Sequence, residues 1–67
     1  MSVARVTELS STSSKSFDHA IQKGIERATK TLRGVSGAWV KEQKILVKAD
    51  KITGYQVNMM VSFVLED

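Results

Sequence analysis

The chain lacks the features by which many small domains compensate for a small core. It has 67 residues, no cysteine, no proline and a single histidine, His19. Disulfide bridges, thiolate metal sites and histidine-rich zinc sites are therefore excluded. A chain of this length buries only about 60% of the surface that its unfolded form exposes. We therefore expect copies of the chain to stabilise one another by association.

Long apolar runs and aromatic residues are also scarce. No apolar stretch approaches the roughly 20 residues needed to cross a bilayer, and the start of the sequence has no apolar signal-peptide core. These absences predict a cytoplasmic protein without membrane contact. The net charge of +3 is compatible with binding nucleic acid or a phosphorylated small molecule. However, the four aromatic residues form no RNA-binding motif and no helix-turn-helix pattern is present, so nucleic acid is not the expected partner.

The clearest periodic pattern predicts an amphipathic helix from Ser14 to Arg33. Its apolar residues recur at spacings of three and four and form one stripe. Gly24 lies within this stripe and costs roughly 1 kcal/mol relative to alanine, which indicates close approach of another backbone. Gly34 is a typical residue for the C-terminal end of a helix. The stripe contains Phe17, Ala20, Ile21, Gly24, Ile25, Ala28 and Leu32, and the predicted solvent face carries Lys15, Gln22, Lys23, Arg27 and Lys30.

Three segments predict strands around this helix. Val3–Leu9 forms the first strand, and the serine-rich stretch after it offers capping oxygens for the helix. Residues 55–66 alternate in character over twelve positions, which is typical of a long strand. Trp39–Lys48 precedes that strand, and Ala49–Lys51 forms a tight turn between them, so the two make a hairpin. The predicted fold is α+β, in the order β-α-β-β, with a three-stranded antiparallel sheet and one helix.

The last strand predicts that one face of the sheet is apolar and the other is mixed. One helix covers one face, and the apolar set is the natural choice for it. A half-apolar sheet face without a second layer of its own is typical of a subunit interface or of a ligand-binding surface. The apolar set is Tyr55, Val57, Met59, Val61, Phe63 and Leu65, and the mixed set is Gln56, Asn58, Met60, Ser62, Val64 and Glu66.

The sequence contains no pattern typical of an enzyme. His19 is predicted to be a solvated helix residue rather than a general base, because nothing in the sequence links it to a serine nucleophile. The carboxylates are scattered, with no acid pair, and no glycine-rich phosphate-binding motif is present.

Four residues are candidates for ligand contacts, each with a structural alternative. Trp39 offers a flat surface for a planar ring, or it is a partly buried core or interface residue. Gln56 offers a donor pair and an acceptor, which would suit the pyrimidine edge of a flavin, or it bonds to a neighbouring chain. Lys44 and Lys48 share one face of the second strand and would contact a phosphate, or they keep an exposed edge soluble.

The sequence resembles the dodecins, which are small flavin-binding proteins that assemble into hollow dodecamers. The resemblance covers nearly the whole chain as a single dodecin-like domain, residues 1–67. It is most specific in the C-terminal strand, which opens with an aromatic–Gln–Val group and closes with a Val-x-Phe-x-Leu-Glu group. The matching residues are Thr12-Ser13, Glu26-Arg27-Ala28, Thr31-Leu32-Arg33, Tyr55-Gln56-Val57 and Val61 to Glu66.

The resemblance implies flavins bound in pairs at subunit contacts, each stacked on a tryptophan and hydrogen-bonded to a glutamine. It implies storage or sequestration of FMN, riboflavin or a related ring, without catalysis. The glutamine corresponds to Gln56. In an ungapped alignment, however, the stacking tryptophan corresponds to Gly37, and Trp39 lies two residues further along. A local bulge would restore a stacking position, or else Trp39 serves another purpose.

Two functions therefore remain open, beside that of an adaptor that binds nucleic acid or a protein through the basic face of the helix. The first is a flavin-storing homododecamer that uses Gln56, the displaced Trp39 and the space at Gly37, with Lys44 or Lys48 near a phosphate tail. The second is a dodecin-like shell without a flavin site. That shell would bind a cation through carboxylates such as Glu8 or Glu66, or bind another small ligand, or act through its assembly.

Overall fold

One helix packs against one face of a three-stranded antiparallel sheet. The computed structural model describes residues 3–65. The elements are β1 (Val3–Ser13), α1 (Phe17–Thr31), β2 (Val35–Lys48) and β3 (Lys51–Leu65). The strand order in the sheet is β1-β3-β2, with both neighbouring pairs antiparallel. The predicted β-α-β-β fold is confirmed.

The bounds of all four elements differ from the predicted ones. β1 does not end at Leu9 but continues to Ser13, because the serine-rich stretch pairs with β3 as far as Tyr55. Tertiary pairing thus overrides the weak strand propensity of serine. The helix is shorter than predicted at both ends, Phe17–Thr31 rather than 14–33, and β2 begins four residues earlier, at Val35. β3 begins at Lys51, four residues before the predicted start, so Lys51 belongs to the strand and not to the turn. Glu66, the predicted end of the last strand, lies outside the described residues.

The helix begins with two serines that have separate roles. Ser16 is the N-cap, and its side-chain oxygen accepts a hydrogen bond from the backbone N–H of His19 at 3.0 Å. The Ser13 oxygen accepts from the backbone N–H of Lys15 at 2.9 Å and lies 2.6 Å from Nδ1 of His19. The hydroxyl proton of Ser13 is therefore free to donate to Nδ1.

The prediction that His19 is a solvated side chain is wrong. His19 is half-buried and its ring contacts Ser13, which is only 5% exposed. A buried hydroxyl is not accessible to an external substrate. The contact between Ser13 and His19 instead connects the end of β1 to the start of α1.

The core lies between the centre of α1 and the middle of β3. Ala20, Val57 and Met59 form its buried cluster, and the predicted helix stripe faces it. The predicted apolar set of β3 is confirmed in its central part, where Val57, Met59 and Val61 are at most 1% exposed. The predicted solvent face of the helix is exposed throughout.

Gly24 permits this packing. A Cβ atom at this position would collide with the terminal methyl of Met59 and lie 3.1 Å from Cβ of Ser11 and 3.3 Å from Cδ1 of Leu9. The close approach comes from side chains of β1 and β3, whereas the sequence indicated a backbone. The lower helix propensity of glycine is offset by this contact.

The helix leaves much of the sheet uncovered. α1 lies over β1 and β3 and scarcely reaches β2. Apolar side chains near the hairpin tip are consequently open to solvent, with Val47 63% and Ile52 57% exposed. Within residues 3–65, no helix combines the length and the apolar character needed to span a bilayer.

The hairpin turn is strained. Only Ala49 and Asp50 connect β2 to β3, because Lys51 already pairs with Lys48. Both turn residues have positive φ, 52° and 64°, as a type I′ turn requires. Asn-Gly is the preferred pair for this geometry, and alanine is poorly suited to its first position.

We expect the double substitution Ala49→Asn with Asp50→Gly to stabilise the protein. Relief of about 1 kcal/mol of backbone strain should raise Tm by about 4–8 °C, measured by thermal unfolding at a fixed chain concentration. Ala49→Val is the matched control, because a β-branched residue at positive φ should lower Tm. An unchanged or lower Tm for the Asn-Gly variant would contradict the assignment of strain to this turn.

Candidate functional site

The candidate residues lie on the sheet face that points away from α1, here called the open face. Directly opposed residues in antiparallel strands share a face, so the pairing register defines its membership. From β3 the open face carries Gln56, Asn58, Met60 and Ser62. Their partners are Thr12, Ser10, Glu8 and Val6 on β1, and Lys44, Glu42, Trp39 and Gly37 on β2.

A bulge in β2 brings the candidate residues onto this one face. The β2–β3 register shifts between Val40 and Glu42, so that Lys41 is an extra residue in β2. Trp39 and Lys44 are five residues apart and would lie on opposite faces of a regular strand. The bulge reverses the alternation and places both on the open face. A second shift, between Val35 and Gly37, precedes the tryptophan.

The structure does not bring all the candidates together within one chain. Lys44 pairs directly with Gln56, whereas Trp39 pairs with Met60, four residues further along β3. Four residues of strand span roughly 13 Å. Lys48 lies as far from Lys44 in the other direction, at the end of the hairpin, where it pairs with Lys51.

Trp39 is the large aromatic surface of the open face. Its side chain is 54% exposed, opposite Met60. No second layer of residues 3–65 covers it, because α1 packs on the other face. An aromatic ring exposed to this extent offers a platform for a planar ligand or for another copy of the chain.

Gly37 leaves space beside the tryptophan. A Cβ atom there would meet only Oγ of Ser62, at 3.7 Å, which is ordinary contact. The Ser62 hydroxyl donates to the carbonyl oxygen of Gly37 at 3.2 Å and keeps this part of β2 joined to β3. Steric crowding is therefore not the reason for glycine at this position.

Gln56 takes part in a hydrogen-bond chain on the open face. Its Nε2 donates to Oδ1 of Asn58 at 3.3 Å, and Nδ2 of Asn58 donates to Oε1 of Glu42 at 3.0 Å. One amide proton and the carbonyl oxygen of Gln56 remain for other partners, since a glutamine has two donor protons and one acceptor oxygen.

The sequence did not predict that Asn58 and Glu42 take part in the hydrogen-bond chain from Gln56. Strand alternation already placed Asn58 beside Gln56, but the position of Glu42 depends on the bulge, for which the sequence has no clear signal. The same bulge directs Lys41 across the sheet to Glu8, with 3.5 Å between Nζ and Oε2. Both side chains are about half exposed, so this ion pair contributes less than about 1 kcal/mol.

The carboxylates of the described residues are not gathered into a metal site. Among residues 3–65, no group of three histidine or acidic side chains is close enough to hold a metal ion. Glu8 is paired with Lys41, and Glu66, the other predicted cation ligand, lies outside the described residues.

Several solved structures are similar to this chain over nearly its whole length. A search of curated proteins found no match. Among solved structures, the dodecin from Streptomyces davaonensis is 35% identical, with a TM-score of 0.93 and coverage of 98% of this chain and 97% of that one. A tryptophan-to-phenylalanine variant of the Thermus thermophilus dodecin is 36% identical, with a TM-score of 0.92 and complete coverage of both chains.

A third structure is a calcium-chelating antigen from Mycobacterium tuberculosis, described as a calcium dodecin with a novel calcium-binding site. It is 29% identical, with a TM-score of 0.83 and coverage of 96% of this chain and 91% of that one. The sequence profile of the family described as Dodecin matches residues 3–66. Together with the β-α-β-β fold, this match shows that the chain belongs to the dodecin family.

Proposed function

We propose that this chain is a non-catalytic flavin-storage or sequestration protein, a single dodecin domain that assembles into a cytoplasmic homododecamer. FMN, riboflavin or a related isoalloxazine would bind on the open face, at contacts between copies. The observation that supports this most directly is the exposure of Trp39 on the same uncovered face as Gln56, whose amide retains a donor and an acceptor.

The uncovered surfaces support assembly. The open face has no layer above it within residues 3–65, and the far end of the hairpin exposes Val47 and Ile52. Exposed apolar side chains on an uncovered sheet, here also Trp39 and Val6 on the open face, are typical of an interface. A chain of 67 residues also has a small core and no disulfide to compensate for it.

The recognition of the ring would use side chains from two copies. Trp39 and Gln56 of one chain lie roughly 13 Å apart along the strand. One ring therefore fits better when one copy of the chain supplies the stacking tryptophan and a second copy supplies the glutamine. The remaining N–H and carbonyl oxygen of Gln56 match the adjacent C=O and N–H of a flavin pyrimidine edge. The free space at Gly37 accommodates ring atoms near the stacking surface.

The two lysines would affect the relative affinity of the site for FMN and riboflavin. Lys44 lies opposite Gln56 on the open face, where its ammonium group would favour the phosphate of FMN over the neutral chain end of riboflavin. Lys48 is about 13 Å further along the strand and would contact only an extended phosphate tail.

The proposed role is storage rather than turnover. His19 contacts a serine hydroxyl, that of Ser13, but this serine is buried and the contact holds the β1–α1 connection. Stacking of a bound flavin on an indole would quench its excited state, which suits protection of a light-sensitive molecule.

We expect Gln56→Ala to weaken flavin binding without changing the assembly. Loss of two hydrogen bonds to the ring edge should raise the Kd about tenfold or more, measured by quenching of FMN and riboflavin fluorescence on titration with protein. Gln43→Ala is the matched control, because Gln43 is an exposed glutamine in the neighbouring strand on the face towards α1. Wild-type protein that quenches neither flavin would exclude the proposed function.

We expect Gly37→Trp to fold and to keep the oligomeric size of the wild-type protein, but to bind flavin more weakly. A Cβ atom at this position meets only Oγ of Ser62, at 3.7 Å, so the substitution leaves the packing of the fold unchanged, whereas the indole would occupy the space that the proposed site gives to the flavin ring. Gly54→Trp is the matched control, because a Cβ atom at buried Gly54 already lies 3.2 Å from Cδ1 of Leu46. Size-exclusion chromatography, thermal unfolding and flavin titration give the result. A fall in Tm for Gly37→Trp comparable to that of the control would contradict the conclusion that there is room for a side chain at residue 37.

Calcium binding is the second candidate, favoured by the similarity to the Mycobacterium tuberculosis calcium dodecin. The described residues argue against it, because Glu8 is paired with Lys41 and no three-carboxylate group occurs among residues 3–65. We therefore expect isothermal titration with Ca²⁺ to show no saturable binding at micromolar concentration. Saturable binding that is weakened by Glu8→Ala or Glu66→Ala would reverse the order of the two candidates.

A further inference from the structure

The hydrogen-bond chain from Gln56 through Asn58 to Glu42 has a fixed direction. A carboxylate only accepts hydrogen bonds, so Glu42 requires the amide nitrogen of Asn58 to point towards it, as observed at 3.0 Å. The carbonyl oxygen of Asn58 then points the other way and accepts from Gln56 at 3.3 Å. Each side chain thereby determines the orientation of the next.

The positions of the three residues make this chain a property of the folded sheet. Gln56 and Asn58 are alternate residues of β3, and Glu42 is the β2 partner of Asn58. Glu42 reaches the open face because of the extra residue Lys41 in β2. Gln56 and Asn58 are half-buried, whereas Glu42 is exposed, so the carboxylate end of the chain is the end most accessible to competing water.

We propose that Asn58 and Glu42 are positioning residues that hold the amide of Gln56 in one of its two flipped orientations before a ligand arrives. This assignment rests on the proposed function only for the identity of the ligand. A primary amide that is free to flip presents its donor and its acceptor in either order and loses rotational freedom on binding. An amide held by Asn58 presents its donor and acceptor in one fixed order and loses less rotational entropy when a ligand binds.

The fixed order defines the ligand edge that this site accepts. The amide proton of Gln56 that is not used by Asn58 points to a ligand acceptor, and its carbonyl oxygen points to a ligand N–H. A ring edge with a carbonyl beside an N–H, such as the dioxopyrimidine edge of an isoalloxazine, satisfies both. A ring that is methylated at that nitrogen leaves the Gln56 oxygen without its donor, which is costly in a closed site.

The first experiment observes Gln56 without a ligand. The chain has three glutamines, Gln22, Gln43 and Gln56, so glutamine-selective ¹⁵N labelling gives three side-chain amide signals, and Gln56→Ala identifies one of them. In the wild-type protein, we expect the two amide protons of Gln56 to be well separated in chemical shift and slow to exchange with water. Gln22 and Gln43 are exposed and serve as internal references.

Substitutions along the chain of hydrogen bonds should change this signal in a graded way. In Asn58→Leu, which preserves side-chain volume but removes both hydrogen bonds, the Gln56 protons should exchange as rapidly as those of the two references. Glu42→Leu should have a smaller effect in the same direction. Glu42→Gln should restore the wild-type signal, because its carbonyl oxygen still accepts from Asn58. Ser10→Ala, on the β1 side of Asn58, is the control and should have no effect.

The second experiment measures flavin affinity for the same variants, using riboflavin and N3-methylriboflavin as probes. We expect Asn58→Leu to weaken riboflavin binding about three- to tenfold, with Tm and oligomeric size unchanged. It should also reduce the preference for riboflavin over the methylated probe. In the Gln56→Ala background, Asn58→Leu should cause no further loss, since its effect acts through Gln56.

The two experiments test the positioning role of Asn58 and Glu42 separately from the identity of the ligand as a flavin. An Asn58→Leu variant whose Gln56 amide signal equals that of the wild-type protein would overturn the positioning role, whatever its flavin affinity. An equal loss of riboflavin affinity in the presence and absence of Gln56 would also overturn it. A changed amide signal in a protein that binds neither probe would support the positioning role and refute flavin as the ligand.

Discussion

The structure depends on a mismatch between one short helix and a long sheet. The fifteen residues of α1 span about 22 Å at 1.5 Å per residue, whereas the longest dimension of the molecule is 51 Å. The helix therefore covers less than half of the length of the sheet, on one face, and mainly over β1 and β3. The other face and the hairpin tip can lose their contact with water only against another molecule.

This mismatch explains where the chain concentrates its internal packing. The core is confined to the area under α1, and Gly24 lets the helix approach so closely that Met59 is almost entirely buried. A cluster this small gives limited stability to a single copy. In the proposed assembly the open face would combine two functions, because contact between copies would both stabilise the fold and enclose Trp39 and Gln56 in pockets between subunits.

The sequence predicts the parts of the fold that follow a regular repeat. The period of 3.6 in α1 and the period of two in β3 fix which residues face each other, and Val57, Met59 and Ala20 are buried as those repeats require. The family resemblance adds Gln56 as a candidate for ligand binding. These predictions need only local spacing, which a single sequence contains.

The features that depend on pairing between distant residues could not be read in this way. The strand character of Ser13 comes from its pairing with Tyr55, and the bulge at Lys41 comes from the register between β2 and β3. Nothing in the residue type of Ser13 or Lys41, or of their sequence neighbours, distinguishes them from ordinary loop or edge residues. The roles of Glu42 and Asn58 followed only when that register was known.

The position of Trp39 on the open face bears on the proposed function. On the open face, Trp39 pairs with Met60, and Gly37 pairs with Ser62, one pair further from Gln56. In the ungapped alignment that the dodecin resemblance implies, the stacking tryptophan corresponds to Gly37, and Trp39 lies about 7 Å closer than that position to Gln56 along the same chain. Gly37 is flanked by the small residues Ser36 and Ala38, and in the proposed site it would receive the part of the ring that has no indole beside it. On this geometry, the proposed flavin site is shifted along the open face towards the Asn58–Glu42 hydrogen bonds, and those bonds become the fixed reference from which the ligand is oriented.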